Sequence, residues 1–235
     1  MERAHRIPRP AHHVAAAPAA TVHADVVVVG ARVAGATAAL LLAKAGHRVF
    51  LVDRTRFPSD TLSTHAIARG GVVQLARFGL LDDVVAAGTP PVRDVSFHAD
   101  GSVTSRRVKD RAGVDHLVAP RRHVLDPLLV AAAERAGARV ETGARVHEVL
   151  RRPDGRVAGV AVTRDDGRVV HVRAGHVIGA DGVRSTIART VGAPVLDERP
   201  STGATHYVYA QDLDATGFEY HLAEQAMAGV FSTNH

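Results

Sequence analysis

The stretch that decides the fold is DVVVVGARVAG, residues 25–35. Its first half is a short apolar run of β-branched residues ending at Gly30, which is typical of a buried parallel strand. The alanine- and leucine-rich segment 34–46 that follows predicts a helix closed by a glycine. A second apolar run then ends at Asp53, so the sequence predicts a βαβ unit.

The turn between this strand and helix carries the first and third glycines of a dinucleotide-binding fingerprint, Gly30 and Gly35. The first glycine permits a tight turn, and the third lets the helix pack closely on the strand. Arg32 stands where the second glycine is expected. Its side chain either restricts the approach of a phosphate or reaches an anion through its guanidinium group. We predict that this turn binds a dinucleotide cofactor. The predicted binding residues are Gly30, Ala31, Arg32, Ala34 and Gly35.

Asp53 ends the second strand at a distance from Gly30 that suits an acid hydrogen-bonded to a ribose hydroxyl. Its negative charge would repel a phosphate on the 2′-position of the ribose, which argues against a 2′-phosphorylated dinucleotide. The alternative is a solvated acid at the end of a strand. Arg54, the next residue, is included in the predicted site.

The rest of the chain predicts a mixture of strands and helices. Residues 66–87 and 122–136 favour helices, the first broken near Gly79. The predicted strands are 92–98, 103–108, 138–150, 157–163, 168–173 and 176–179, followed by antiparallel strands at 204–211, 218–224 and 228–233.

A second motif, GADGVRS at residues 179–185, follows a short apolar run. It resembles the GADG-x-x-S signature of the flavoprotein monooxygenases related to para-hydroxybenzoate hydroxylase, and of the geranylgeranyl reductases. The resemblance implies that Asp181 binds the ribitol of FAD and that Gly182 lets the backbone approach it closely. It also implies that the adenine is contacted by backbone at Val146. An ordinary turn before a helix is the alternative reading of the motif.

The middle of the chain agrees with this resemblance. RHVLD at 122–126 resembles the family's R-x-x-L/F-D at a helix start. That implies a position for Arg122 close to the flavin chain, with the neighbouring Arg121 as the other choice. DTLSTH at 60–65 lies where relatives fold a loop near the flavin ring. His65 in this loop contacts substrate or flavin, or has a purely structural role.

The resemblance runs from residue 25 to about 233 and implies an α/β fold in two parts. A Rossmann-like FAD-binding domain with a parallel sheet is expected at 25–195, with 90–120 contributing to the substrate side. A partial antiparallel substrate-domain sheet is expected at 196–235. The Ala/Pro/His-rich residues 1–24 are expected to form a disordered extension.

The reaction implied by the resemblance is reduction of FAD by NAD(P)H and oxygen-dependent hydroxylation of a small organic substrate. Reduction of carbon–carbon double bonds, as in the geranylgeranyl reductases, is the alternative. Relatives continue with further strands and a G-D motif, which the sequence after Gly182 lacks. A C-terminally truncated, FAD-binding remnant without turnover is therefore a third reading. The GADG motif argues against an NAD-dependent dehydrogenase.

Composition narrows the remaining choices. The absence of cysteine excludes disulfides and thiolate metal sites, and none of the 15 histidines has ligand spacing with a matching acid, so we predict no metal site. The arginines behind the net charge of +5 are scattered among acids, which predicts no nucleic-acid partner. No apolar run reaches the ~20 residues of a membrane span, and no secretory pattern begins the chain, so we expect a cytoplasmic protein. The sequence makes no prediction of oligomeric state.

Overall fold

The computed structural model describes residues 20–63, 65–199, 203–215 and 217–234, which form two β-sheets and a set of helices. The strands are β1 (Ala20–Val29), β2 (Val49–Asp53), β3 (Asp94–Ala99), β4 (Ser102–Arg107), β5 (Arg139–Thr142), β6 (Arg145–Arg151), β7 (Val157–Thr163), β8 (Val169–Gly179), β9 (Phe218–Leu222) and β10 (Met227–Val230). The helices are α1 (Val33–Lys44), α2 (Arg69–Phe78), α3 (Leu81–Ala86), α4 (Arg122–Arg135) and α5 (Thr186–Val191). In this part of the chain, no helix is long and apolar enough to cross a bilayer.

The larger sheet has six strands in the order β5-β2-β1-β8-β7-β6. Its first four strands are parallel, and Val26 of β1 lies between Val49 of β2 and His176 of β8. β7 and β6 extend the sheet in antiparallel orientation. The predicted βαβ unit is thus confirmed as β1-α1-β2, at the centre of this sheet.

Alternate valines of β1 face opposite layers, as the two-residue period of a strand requires. Val26 and Val28 lie in a core cluster with the buried faces of α1 and α4. Val27 and Val29 lie in a second cluster with residues of β6, β7 and β8. Coverage on both faces explains why the strand reads as an unbroken apolar run.

The smaller sheet has four strands in the order β10-β9-β3-β4. The pairs β3–β4 and β9–β10 are antiparallel, but β3 and β9 run parallel, with Val95 opposite Phe218. The second sheet is therefore mixed, and only its two hairpins match the antiparallel arrangement expected from the sequence. Phe218 is 1 % exposed and packs with Val92 and Ala119, which joins this sheet to the rest of the chain.

Two predicted boundaries change because β1 and β8 pair along their whole length. β1 begins at Ala20, since residues 20–24 pair with residues 170–174 of β8. These five residues belong to the sheet, whereas the rest of the predicted extension, residues 1–19, lies outside the described residues. The strands predicted at 168–173 and 176–179 are one strand, because β1 supports both halves.

Two other strand predictions are wrong for local reasons. The strand predicted over 138–150 is divided at Gly143, where φ is +67°, and the following Ala144 amide bonds the Asp53 carbonyl at 2.9 Å. Residues 204–211 form no strand. Tyr209 in that segment instead stacks over the guanidinium group of Arg121, with 4.2 Å between them.

Candidate functional site

The glycine loop, residues 30–35, joins β1 to α1 and makes two very close backbone contacts. Gly30 has φ +102°, and a Cβ added there would lie 2.3 Å from the Ala180 carbonyl oxygen. A Cβ at Gly35 would lie 1.7 Å from the Gly30 carbonyl oxygen. The Ala180 amide also donates to the Val29 carbonyl at 2.7 Å. The two motifs, 150 residues apart in the sequence, therefore lie against each other because residues 30 and 35 are both glycine. A side chain at either position would collide with backbone atoms.

The first turn of α1 is open to an anion. Arg32 is the N-cap residue, and its side chain makes no capping hydrogen bond. The first turn holds no acidic residue, and Val33 and Ala34 are exposed. The first amides of a helix have no partner within the helix, and its positive dipole end favours negative charge. This helix start has the properties of a phosphate-binding site.

Asp53 connects the glycine loop to the end of β2. Its carboxylate is 9 % exposed, and Oδ2 accepts from the Ala31 amide at 2.7 Å. Oδ1 accepts from the Thr55 amide at 2.7 Å. Asp53 thus has a structural role that the sequence did not predict, while each oxygen keeps a lone pair for a sugar hydroxyl. Arg54 is exposed beside it.

Arg32 is held by a buried carboxylate. Its Nη1 donates to Oδ2 of Asp126 at 2.6 Å, and Asp126 has no exposed side-chain surface. Arg122 donates from Nε to the other oxygen, Oδ1, at 2.8 Å. The sequence left open whether the Arg32 guanidinium blocks phosphate or reaches an anion. The structure shows that the anion is Asp126, a partner the sequence analysis did not identify.

The same contacts distinguish Arg122, the first residue of the RHVLD motif, from Arg121, which precedes the motif. Arg122 lies with Arg32 on the glycine-loop side of α4 through Asp126. Arg121 instead pairs with Asp60, with 3.0 Å between its Nε and Oδ2. Arg122 is therefore the arginine next to the predicted cofactor site.

Asp181 caps the helix that follows the GADG motif. Its carboxylate accepts from the Ser185 hydroxyl and the Thr186 amide, both at 2.6 Å, and from the Ile187 amide at 3.3 Å. Partial burial acts to raise the pKa of Asp181, but these hydrogen bonds outweigh it and hold the pKa below its usual value. The carboxylate is therefore ionised at neutral pH. The backbone of Ala180, the preceding residue, is in close contact with Gly30 and so places Asp181 next to the glycine loop. Gly182 is exposed, with φ +89°.

A largely apolar cavity of about 340 Å³ lies between the start of α1, residues 63 and 65–67, α2 and α4. Val33, the first residue of α1, lines it, so the cavity begins beside the glycine loop. His65, Arg122 and Leu125 line its other sides. An apolar cavity with few polar groups is the usual form of a site for a small organic molecule or a cofactor ring.

His65 is the polar side chain of this cavity with an unsatisfied atom. It is 8 % exposed at φ +59°, and its Nε2 is 2.7 Å from the Tyr209 hydroxyl. Its Nδ1 is buried and has no hydrogen-bond partner among the described residues. Burial lowers the pKa of His65; Asp60 opposes this effect, and the charges on Arg121 and Arg122 add to it. Tyr209 gave no signal in the sequence, because its segment was predicted to be a strand.

The structure thus brings together most of the predicted site residues. The glycine loop, Asp53 and the GADG segment are in direct contact, and Asp126 connects Arg32 to Arg122. Val146 lies apart from them, paired with Val162 and packed in the cluster on the other face of β1. Its contact with adenine stays a prediction.

A glycine loop at the carboxyl ends of parallel strands, followed by a helix open to phosphate and flanked by two carboxylates, defines a dinucleotide-binding α/β protein. The comparison with known families identifies the dinucleotide. Residues 23–231 match the model of the FAD binding domain family, and the chain belongs to this family. The resemblance inferred from the GADG motif is confirmed.

Both kinds of relative implied by the sequence occur among its matches. The chain is 34 % identical over 211 residues to digeranylgeranylglycerophospholipid reductase 1 of Methanopyrus kandleri, covering 88 % of this chain and 53 % of the relative. It is 31 % identical over 188 residues to 6-methylpretetramide 4-monooxygenase of Streptomyces rimosus, covering 75 % and 43 %. The chain therefore spans about half the length of these relatives.

The fold is shared with solved structures. A geranylgeranyl bacteriochlorophyll reductase-like protein from Thermoplasma acidophilum superposes with a TM-score of 0.68 at 22 % identity. The match covers 90 % of this chain and 54 % of that one. At this identity the similarity establishes the fold alone.

Proposed function

We propose that this chain binds FAD at the glycine loop and uses it, with NAD(P)H as electron donor, to hydroxylate a small organic substrate. The observation that carries the proposal is the contact between the loop at 30–35 and the Ala180–Asp181 backbone. It gathers an open helix start and two carboxylates, Asp53 and Asp181, at one edge of the sheet. Phosphates and sugar hydroxyls are the groups that such an edge binds.

Each part of the site has a distinct role in this proposal. The start of α1 binds the pyrophosphate, Asp53 a ribose hydroxyl, and Asp181 the ribitol. Arg122 lies close to the flavin chain, oriented by Asp126. When bound, FAD would supply the redox and oxygen chemistry, while the protein binds and orients the reactants and excludes water. The fit of the residues to FAD rests on the open helix start and the close backbone approach at Gly30.

The cavity beside the loop supports an organic substrate. Its largely apolar lining suits an organic molecule. His65, whose pKa is lowered by burial, is mostly neutral at physiological pH and has Nδ1 free of partners among the described residues. We propose that His65 holds or accepts a proton there. In this proposal residues 25–195 are the FAD-binding domain, and the second sheet, with its strands from 90–120 and 196–235, is the substrate side.

Reduction of a carbon–carbon double bond is the second candidate. It is favoured by the match to the digeranylgeranylglycerophospholipid reductase, which covers 88 % of this chain. The apolar lining of the cavity also suits a prenyl chain. The cytoplasmic location expected from the sequence stays part of the proposal for either reaction.

The test is to load the chain with FAD and follow NADH and NADPH oxidation together with oxygen uptake, using phenols and prenyl lipids as substrates. A hydroxylase shows substrate-stimulated oxygen uptake and a product with one added oxygen atom. A double-bond reductase consumes NAD(P)H without oxygen uptake and gives a product with two added hydrogen atoms. FAD-loaded chain that turns over neither class would contradict both candidates and leave a binding module.

A further inference from the structure

Three side chains that can bind a metal ion lie together on one face of the second sheet. His98 of β3 is directly opposite His221 of β9 in the parallel register, so the two side chains emerge next to each other. Glu219 lies two residues before His221 on the same strand and therefore on the same face. These residues come from distant parts of the chain, and only the pairing of β3 with β9 brings them together.

The three candidate ligand atoms converge. Nε2 of His221 is 3.2 Å from Oε2 of Glu219, and Nε2 of His98 is 3.8 Å from the same oxygen. All three ligand atoms lie within 4.8 Å of one another. The two imidazole rings are stacked, with 4.2 Å between their centroids. A metal ion with ligand bonds of about 2.0–2.2 Å can span the distances of 3.2 and 3.8 Å from the Glu219 oxygen to the two imidazole nitrogens.

The hydrogen bonds among the described residues do not satisfy every polar atom of this cluster. Nε2 of His98 is buried and has no hydrogen-bond partner in the described part of the chain. Glu219, at 3.8 Å, is too far away to bond it. A buried nitrogen without a partner is unfavourable, and a bound cation satisfies it. The carboxylate supplies negative charge toward that cation, while neutral imidazoles supply lone pairs.

The position of the cluster lets an ion enter. The opposite face of the sheet is aromatic, with Phe97 stacked on Tyr220. On the cluster's own face, the side chains of His98, Glu219 and His221 are 31 %, 17 % and 45 % exposed. The site is thus held by the sheet on one side and open to water on the other.

We propose that His98, Glu219 and His221 bind one divalent transition-metal ion, through two imidazole nitrogens and one carboxylate oxygen. Zn²⁺ accepts this set of ligands and takes water or another group in the remaining position. Because the ligands sit on two different strands, the ion ties β3 to β9 and stabilises the second sheet. The site is separate from the glycine loop and is independent of the proposed oxidoreductase activity.

Titration of the full chain with Zn²⁺ by calorimetry, without a polyhistidine tag, tests the proposal, and Co²⁺ gives a visible spectrum that reports the coordination. The wild-type chain binds one equivalent, and Zn²⁺ raises its Tm. His221→Ala and Glu219→Gln weaken binding at least tenfold and abolish the rise in Tm. Because His221 is half-exposed, its removal leaves the fold intact; His98→Ala gives the same loss where it folds.

His47→Ala is the matched control, since His47 is exposed before β2, and it binds Zn²⁺ like the wild type. A His12→Ala, His13→Ala double variant reports any binding by the paired histidines near the N-terminus. The proposal is overturned if the wild type binds no Zn²⁺, if His221→Ala binds it as tightly as the wild type, or if only the double variant loses it.

Discussion

At the scale of single residues, Asp126 is the side chain on which the candidate site depends most. It is fully buried and receives Arg32 on one oxygen and Arg122 on the other. An isolated buried carboxylate is very unfavourable, so the two arginines are required to keep it there. This arrangement explains how an arginine is tolerated in the glycine loop: its guanidinium is directed to α4.

We expect Asp126→Asn to lower the free energy of unfolding by about 3 kcal/mol, because it breaks a buried ion pair and leaves Arg32 and Arg122 together without a counter-charge. Urea unfolding followed by circular dichroism measures the change. The control is Asp166→Asn, which removes an exposed partner of Arg168 and should change little. Equal losses in the two variants would show that Asp126 is not required in this way.

Gly35→Ala should destabilise the chain by about 3 kcal/mol and reduce FAD retention, since its Cβ would lie 1.7 Å from the Gly30 carbonyl and force α1 away from the loop. Gly70→Ala in α2 is the matched substitution, with no atom within 4 Å of the new Cβ, and should be neutral or slightly stabilising. Both effects are read from thermal unfolding and from bound flavin. A Gly35→Ala chain as stable as Gly70→Ala would be inconsistent with the close contact.

At the scale of elements, the sequence predicts what is encoded locally. The valine run of β1, the Ala/Leu composition of α1 and the turn at Gly167 each identify their own element. The sequence cannot show which strands pair at long range. The continuity of β8 depends on β1, and the parallel pairing of β9 with β3 depends on packing of Phe218.

The candidate site shows the same contrast between local and long-range information. Gly30, Gly35, Asp53 and Asp181 were predicted from motifs, and the structure places them in contact. The ion pair of Asp126 with Arg32 and the contact of Tyr209 with His65 give no signal in the sequence, because the partners lie 94 and 144 residues apart. Sequence spacing alone predicts no metal site among the histidines, because spacing carries no information about which residues lie opposite each other on neighbouring strands.

The capping of α5 by Asp181 should make stability depend on pH. Its pKa in the folded chain is below the usual 3.8, so the stabilisation is complete above the unfolded-state pKa and is lost as the pH falls through the lowered folded-state value. Urea midpoints of wild type and Asp181→Asn should therefore differ most at neutral pH and approach each other as the pH falls below 3.8. A difference that does not narrow would contradict the capping role.

At the scale of the whole molecule, the motifs meet at one edge of the larger sheet. The parallel strands β1, β2 and β8 end at the glycine loop, Asp53 and the GADG segment, where α/β proteins bind ligands. The cavity begins at the first residue of α1 and includes His65 and Arg122. The family match covers nearly all of this arrangement, residues 23–231.

The most direct test of this account is the visible absorption spectrum of the purified chain, recorded after incubation with FAD and desalting. We predict flavin absorbance that survives desalting at close to one FAD per chain, and a large reduction in Asp181→Ala, since that change removes the proposed ribitol acceptor. Circular dichroism of the same samples shows whether each chain is folded. A folded wild-type chain that retains no flavin, or a folded Asp181→Ala chain that retains as much as the wild type, would contradict the proposed site.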